Sequence, residues 1–187
     1  MSSMIPKRLE SLVQSTRVLM VGDDYYMRKV VRGLLLTLGV SRIAEARNGA
    51  AGLDAICAIR PDLVILDWDM RGMNGRTFMR TVRSPETFAA PDVPIIMLTG
   101  DMAHERVIEA VRLGVNELLC KPVSAKSLLE RVIAIRATPR PIVRMGNYYG
   151  PKPRNMAGDL APAGPSPADA PAQKNAADET ARETVFL

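Results

Sequence analysis

Between residues 17 and 137 the chain switches five times between a short apolar run and a segment with helical periodicity. Few folds accommodate that alternation. Consecutive strands that are each followed by a helix lie parallel, because the helix carries the chain back across the sheet in a right-handed crossover. The pattern therefore requires a parallel sheet with helices on both faces. The apolar runs are 18–21, 42–46, 63–66, 94–99 and 117–120, of which 42–46 is the weakest. Residues 63–66 and 95–98 are apolar without a break, the composition of strands buried on both sides. Between the first three runs, Met27, Val30, Val31, Leu34, Leu35 and Leu38 recur at helical spacing, and Ala51, Leu53, Ala55 and Ile56 are core positions of a helix over 48–59. Further helices are expected over 76–83, 103–113 and 125–137. Asp23 or Asp24, Asn48 and Ser124 are placed to cap helix N-termini, and Gly39 and Gly114 to close C-termini.

Composition bounds the rest. With 47% hydrophobic residues in 187, a real core is available to part of the chain. A net charge of +5 describes a solvated surface and does not by itself imply nucleic acid. Cys57 and Cys120 sit in apolar sequence and are expected to be small buried hydrophobes of a reducing compartment, not a disulfide or a metal pair. No apolar run approaches the ~18 residues of a membrane span, so a soluble cytoplasmic protein is expected. Residues 1–16 form a leader in which Leu9, Leu12 and Val13 could make one amphipathic turn. Residues 138–155 carry Arg140, Arg144, Lys152 and Arg154, the adjacent Tyr148 and Tyr149, and no acid. Residues 156–187 are rich in Ala and Pro and are expected to be a disordered tail, ending in the apolar Val185-Phe186-Leu187.

The chemistry gathers just past the strands. The first run is followed by Asp23 and Asp24, the third by Asp67 and Asp69, the fourth by Thr99 and Asp101, and the fifth by Lys121. With strands one, three, four and five adjacent, these residues share the rim outside the carboxyl ends of the sheet, where open α/β folds bind ligands. Taken singly each has a plain role: a turn former, a cap, a strand threonine, a solvated lysine. Taken together they suit phosphoryl transfer. A carboxylate can attack phosphorus and become an acyl phosphate. Clustered oxygen ligands suit Mg²⁺, which offsets their charge. An ammonium and a hydroxyl can hold phosphoryl oxygens.

Over about residues 17–137 the chain resembles the receiver domain of bacterial two-component response regulators. The resemblance rests on the acid after strand one, on Leu66-Asp67-Trp68-Asp69-Met70 with Gly72-Met73-Asn74-Gly75, on Thr99-Gly100 and on Lys121-Pro122. It implies a flavodoxin-like (βα)5 doubly wound parallel sheet of order 2-1-3-4-5. It implies that Asp67 accepts a phosphoryl group from a histidine kinase or phosphotransfer protein, with Thr99 and Lys121 as the phosphate-sensing pair. It implies Mg²⁺ held by Asp23, Asp67 and the backbone carbonyl of Asp69. Such a protein is no turnover enzyme; its chemistry is self-catalysed phosphoryl transfer to Asp67 and dephosphorylation.

The sequence also departs from the family pattern. Aligned on the helix Met27-Arg28-x-Val30-Val31, Gly22 takes the place of the first of two acids, Asp23 the second, and Asp24 falls one residue beyond as at best a partial substitute. Weaker Mg²⁺ binding is expected. Arg71 replaces a usual proline and brings a cation to the acidic rim. Leu118 replaces a frequent aromatic, so signalling is expected to rely on the loop after Thr99 and the helix 103–113. His104, the only histidine, is expected to face solvent early in that helix, and Trp68 to report metal binding by fluorescence.

Residues 138–187 show no helix-turn-helix pattern. The expectation is a stand-alone receiver, a phosphorylation-dependent protein–protein switch whose unknown downstream target contacts helix 103–113, strand five and helix 124–137. The segment 139–151 resembles extensions that follow some single-domain receivers. The alternative is that this basic extension binds nucleic acid or another acidic partner. A cofactor-binding enzyme of the same fold would want a glycine-rich phosphate loop after strand one, and none is there.

Overall fold

A computed structural model describes residues 6–154. Five strands, β1 (Arg17–Val21), β2 (Arg42–Ala46), β3 (Leu63–Asp67), β4 (Ile95–Thr99) and β5 (Glu117–Cys120), form one parallel sheet of order β2-β1-β3-β4-β5. Every residue of β3 and β4 is buried, as their unbroken apolar runs demand. The pleat divides the core in two. Leu19, Val21, Val64 and Leu66 face one side with Ile56, Phe78 and Val82, while Val18, Met20, Leu63 and Ile65 face the other with Val31, Leu35, Leu128 and Val132.

The connecting helices are α2 (Tyr25–Thr37), α3 (Gly49–Ile59), α4 (Gly75–Val82), α5 (His104–Arg112) and α6 (Ala125–Ala137). Asp24 caps α2, Asn48 caps α3, and Ser124 forms a capping box with Ser127 at α6. Gly39 and Gly114, at φ +84° and +77°, close α2 and α5. The helix α4 begins one residue earlier than its periodicity suggests, because Asn74 accepts from the Thr77 N–H. Gly75 can open it there. A Cβ at that position would lie 3.0 Å from the Trp68 Cα, so only glycine lets the helix start against the strand-three loop.

Several side chains lie where their sequence context does not put them. Cys57 and Cys120 are free and exposed, not buried. Ile56 takes the inward position on α3 and turns its neighbour out, and Cys120 ends the edge strand β5. Ala51 and Val30 are exposed for the same angular reason, while the charged Arg28 takes an inward position on α2. His104 is exposed at the first residue of α5, as its position suggests.

Both flanks of the sheet domain are folded. Residues 7–14 form α1 (Lys7–Gln14), two turns in place of the one expected, which buries Val13 and packs on α6. Beyond α6, β6 (Ile142–Met145) and β7 (Tyr148–Pro151) pair as an antiparallel hairpin around Gly146. The hairpin seats on the turn between α5 and β5. A Cβ on Gly150 would lie 2.8 Å from the Gly114 Cα, so two glycines permit that approach. Beneath it Arg83 is buried, donating to the carbonyls of Gly114 (3.0 Å), Val93 (2.9 Å) and Pro91 and to Asn116 Oδ1 (2.9 Å). Burial pushes its guanidinium pKa down to about 10. Arg140 donates to the Asn116 carbonyl, Tyr149 to Asp92, and Arg154 to the buried Glu117. Among the described residues no helix is long and apolar enough to cross a membrane. Residues 1–5 of the leader, and the Ala/Pro-rich tail 156–187 with Val185-Phe186-Leu187, lie outside the described residues.

Candidate functional site

Asp67 is the last residue of β3 and is 4% exposed. A carboxylate so enclosed requires a counter-charge and hydrogen bonds. Lys121, the first residue after β5, supplies both: its Nζ lies 2.7 Å from Oδ1 and 2.7 Å from Oδ2. The Asp69 N–H donates to Oδ1 at 3.1 Å. Parallel pairing of β3 with β4, and of β4 with β5, brings these residues together across 54 positions of sequence.

Thr99 ends β4 and is fully buried. Its hydroxyl is engaged within its own loop, donating to the Asp101 carbonyl at 2.9 Å and accepting from the Asp101 N–H at 3.1 Å. The Asp101 carboxylate in turn accepts from the Ala103 N–H at 2.8 Å, one residue before α5. Arg106 on the first turn of α5 stands 4.0 Å from Asp101 and lays its guanidinium 4.7 Å over the Trp68 ring. A chain of contacts thus runs from the Thr99 hydroxyl to the residue beside Asp67.

The acids after β1 are divided. Asp23 Oδ2 accepts from both the Arg71 N–H and the Arg71 Nε, each at 3.0 Å. These bonds hold its carboxyl below the ordinary carboxylate value, the backbone bond contributing most. Asp24 is committed to α2, accepting from the N–H groups of Tyr26 (2.8 Å) and Met27 (3.1 Å). Gly22 borders Asp67 directly: a Cβ there would lie 3.3 Å from the Asp67 Cβ and 3.9 Å from Oδ2. Its carbonyl accepts from Arg28 Nη1 at 2.7 Å, and Arg28 Nε reaches Glu45 at 3.2 Å. Arg28 escapes a reading based on hydrophobicity, yet residues 28, 31 and 35 share one helical stripe, and that spacing was its signal.

The oxygen donors at this rim are of the kind Mg²⁺ takes, namely two carboxylates and a main-chain carbonyl. The set is one carboxylate short at Gly22. Among the described residues no three acidic, His or Cys side chains converge as a metal cluster, so an ion here would lean on Asp23, Asp67, the Asp69 carbonyl and water. A cavity of about 20 Å³ lined by Gly22, Asp24, Arg28 and Asp67 adjoins the site, room for a single water.

Residues 18–133 match the response regulator receiver domain family. The chain belongs to that family. It is 34% identical over 116 residues to the chemotaxis protein CheY of Pseudomonas aeruginosa, a match spanning 62% of this chain and 92% of that protein. Among solved structures it is similar to chemotaxis protein CheY4 of Vibrio cholerae, with a TM-score of 0.55 and 30% identity over 62% of this chain and 93% of that one. It is also similar to the receiver domain of the histidine kinase CKI1 from Arabidopsis thaliana, complexed with Mg²⁺ and BeF3⁻. There the TM-score is 0.57 at 25% identity, covering 66% and 94%. The protein is a CheY-like receiver of two-component signalling with additional C-terminal residues.

Proposed function

We propose that this receiver acts in the cytoplasm as a phosphorylation-dependent protein–protein switch, taking a phosphoryl group onto Asp67 from a histidine kinase or phosphotransfer protein. The observation that carries the reading is the Asp67 carboxylate bracketed by the Lys121 ammonium at 2.7 Å from both oxygens. One Asp67 oxygen attacks phosphorus, the phosphorus–nitrogen bond to the donor imidazole breaks, and an acyl phosphate remains. Lys121 then transfers its hydrogen bond from the carboxylate to a phosphoryl oxygen. Mg²⁺ held by Asp23, Asp67 and the Asp69 carbonyl would neutralise charge on the attacking and phosphoryl oxygens. The product is stoichiometric, so the protein is a phosphoryl acceptor and not a turnover enzyme.

The route outward begins at Thr99. To reach a phosphoryl oxygen its hydroxyl must release Asp101, and Asp101 is tied to the start of α5 through Ala103 and Arg106. The readout is therefore a displacement of the 99–103 loop and α5, offered to a protein target on the α5–β5–α6 face. Leu118 supplies no ring for an aromatic switch.

The nucleic-acid alternative loses support from the ion pairs of the extension. Arg140 and Arg154 are directed at Glu117, and Arg144 pairs with Glu86 at 2.7 Å. Three of the four cations that suggested a polyanion partner are thus engaged with acids of the sheet domain. The test is incubation with acetyl phosphate or a phosphorylated kinase, with and without Mg²⁺, followed by intact mass. One metal-dependent phosphoryl adduct on the wild type and none on Asp67→Asn is expected. An adduct that survives Asp67→Asn, or none on the wild type, refutes the assignment.

A further inference from the structure

The residue at position 71 does more than relax the loop after β3. Two of its nitrogen donors, the backbone N–H and the guanidinium Nε, converge on one oxygen of Asp23 at 3.0 Å. Asp23 is the carboxylate a divalent ion would most depend on. Gly22 contributes none, Asp24 is spent on α2, and both oxygens of Asp67 face Lys121. We propose that Arg71 is the resident counter-cation of the metal site, its guanidinium neutralising Asp23 until a divalent ion displaces it, so that this side chain sets the ion's affinity.

The two donors have separable roles. The backbone N–H, 3.0 Å from Asp23 Oδ2, is present whatever side chain stands at position 71. It keeps Asp23 oriented whatever the side chain does. The guanidinium is free to leave: the Arg71 side chain is 93% exposed and surrenders little packing when it swings away. Leaving is favoured once a divalent ion arrives, since two cations on one carboxylate repel. The inference rests on the reading of Asp23 and Asp67 as metal ligands, and it does not depend on which donor supplies the phosphoryl group.

The experiment is a MgCl₂ titration of the full chain without any phosphoryl donor. It is followed by fluorescence of Trp68, the only tryptophan, which is buried beside Asp67, and independently by calorimetry. Arg71→Ala keeps the backbone donor and removes the guanidinium. It is expected to tighten Mg²⁺ binding about 1.5- to 5-fold at low ionic strength, the range an exposed ion pair allows. The difference should close at high salt. Arg71→Lys should fall between the two, because an ammonium lacks the guanidinium fork. Adding Gly22→Asp to Arg71→Ala should tighten binding again.

Affinity in Arg71→Ala that is unchanged or weaker overturns the proposal, the weaker case meaning that Arg71 steadies Asp23 for the ion. Absence of Mg²⁺ binding in every variant overturns it too. Tighter binding in Arg71→Ala together with no phosphoryl adduct on the wild type would sustain this inference and sink the phosphoacceptor reading alone.

Discussion

Glu117→Gln tests how the C-terminal hairpin is held. Glu117 opens β5, and its side chain is 5% exposed. Arg131 Nη1 lies 3.3 Å away, Arg154 donates through both Nη atoms, and Arg140 stands at 3.9 Å. Glutamine keeps the shape and one acceptor oxygen, but turns an NH2 group toward guanidinium groups and removes their common counter-charge. A hydrogen bond to a charged group contributes about 1.5–3 kcal/mol when shielded. The Arg131 and Arg154 side chains are 40% and 56% exposed, which discounts each of these two ion pairs to about 0.5–1 kcal/mol. Arg140, at 20%, adds about 0.5 kcal/mol through space. The expected loss is about 2 kcal/mol, or about 1 M in the urea midpoint for a chain of this size. It should shrink in concentrated salt, which screens the exposed part of the cluster. Limited proteolysis should cut residues 138–154 faster in the variant. A loss below about 0.5 kcal/mol with unchanged protease protection would show that Glu117 does not anchor the hairpin.

Three further outcomes follow from the same geometry. Lys121→Met leaves the enclosed Asp67 carboxylate without its partner and should lower stability at neutral pH by about 2–3 kcal/mol. Adding Asp67→Asn should recover most of it, and thermal melts that match the wild type in the single variant would contradict this. Gly52→Ala would drive a Cβ to within 2.7 Å of Val21 Cγ1 and 3.0 Å of Phe78, so overpacking by about 1–3 kcal/mol should outweigh the gain in helix propensity. A variant more stable than wild type in urea would refute that. At acid pH, the Arg17 side chain holds the Asp62 carboxyl below its ordinary 3.8, and Arg71 does the same for Asp23. A carboxyl with a depressed folded-state pKa stabilises fully above 3.8, and that contribution is lost as pH falls below it. Denaturation curves measured downward from pH 5 should therefore steepen below about pH 4 in the wild type and flatten in Arg17→Ala. Equal slopes in the two would count against the pairing.

Much of this architecture is local and could be read from residue order. Unbroken apolar runs select buried strands, 3.6-residue spacing selects helices, and caps such as Asn48, Ser124 and Gly114 are short-range hydrogen-bonding devices. Five alternations then leave a parallel sheet whose strand ends carry Asp67, Thr99 and Lys121 to one rim. Hydrophobicity misleads where geometry overrides it. It put Cys57 and Cys120 inside because it counts neighbours in sequence, whereas exposure follows the angle at which a side chain leaves its element. It left Arg28 outside, though the same angle points it at the Gly22 carbonyl.

What residue order determined on its own was the set of elements, their sequence of use and the chemical types delivered to the rim. Tertiary structure alone decided which of those groups are already engaged. Arg71 meets Asp23 across 48 residues, and Lys121 meets Asp67 across 54. The physical reason is that a strand or helix is selected by neighbours a few residues away, while a charge takes its partner from whatever distant loop the folded sheet brings within about 3 Å.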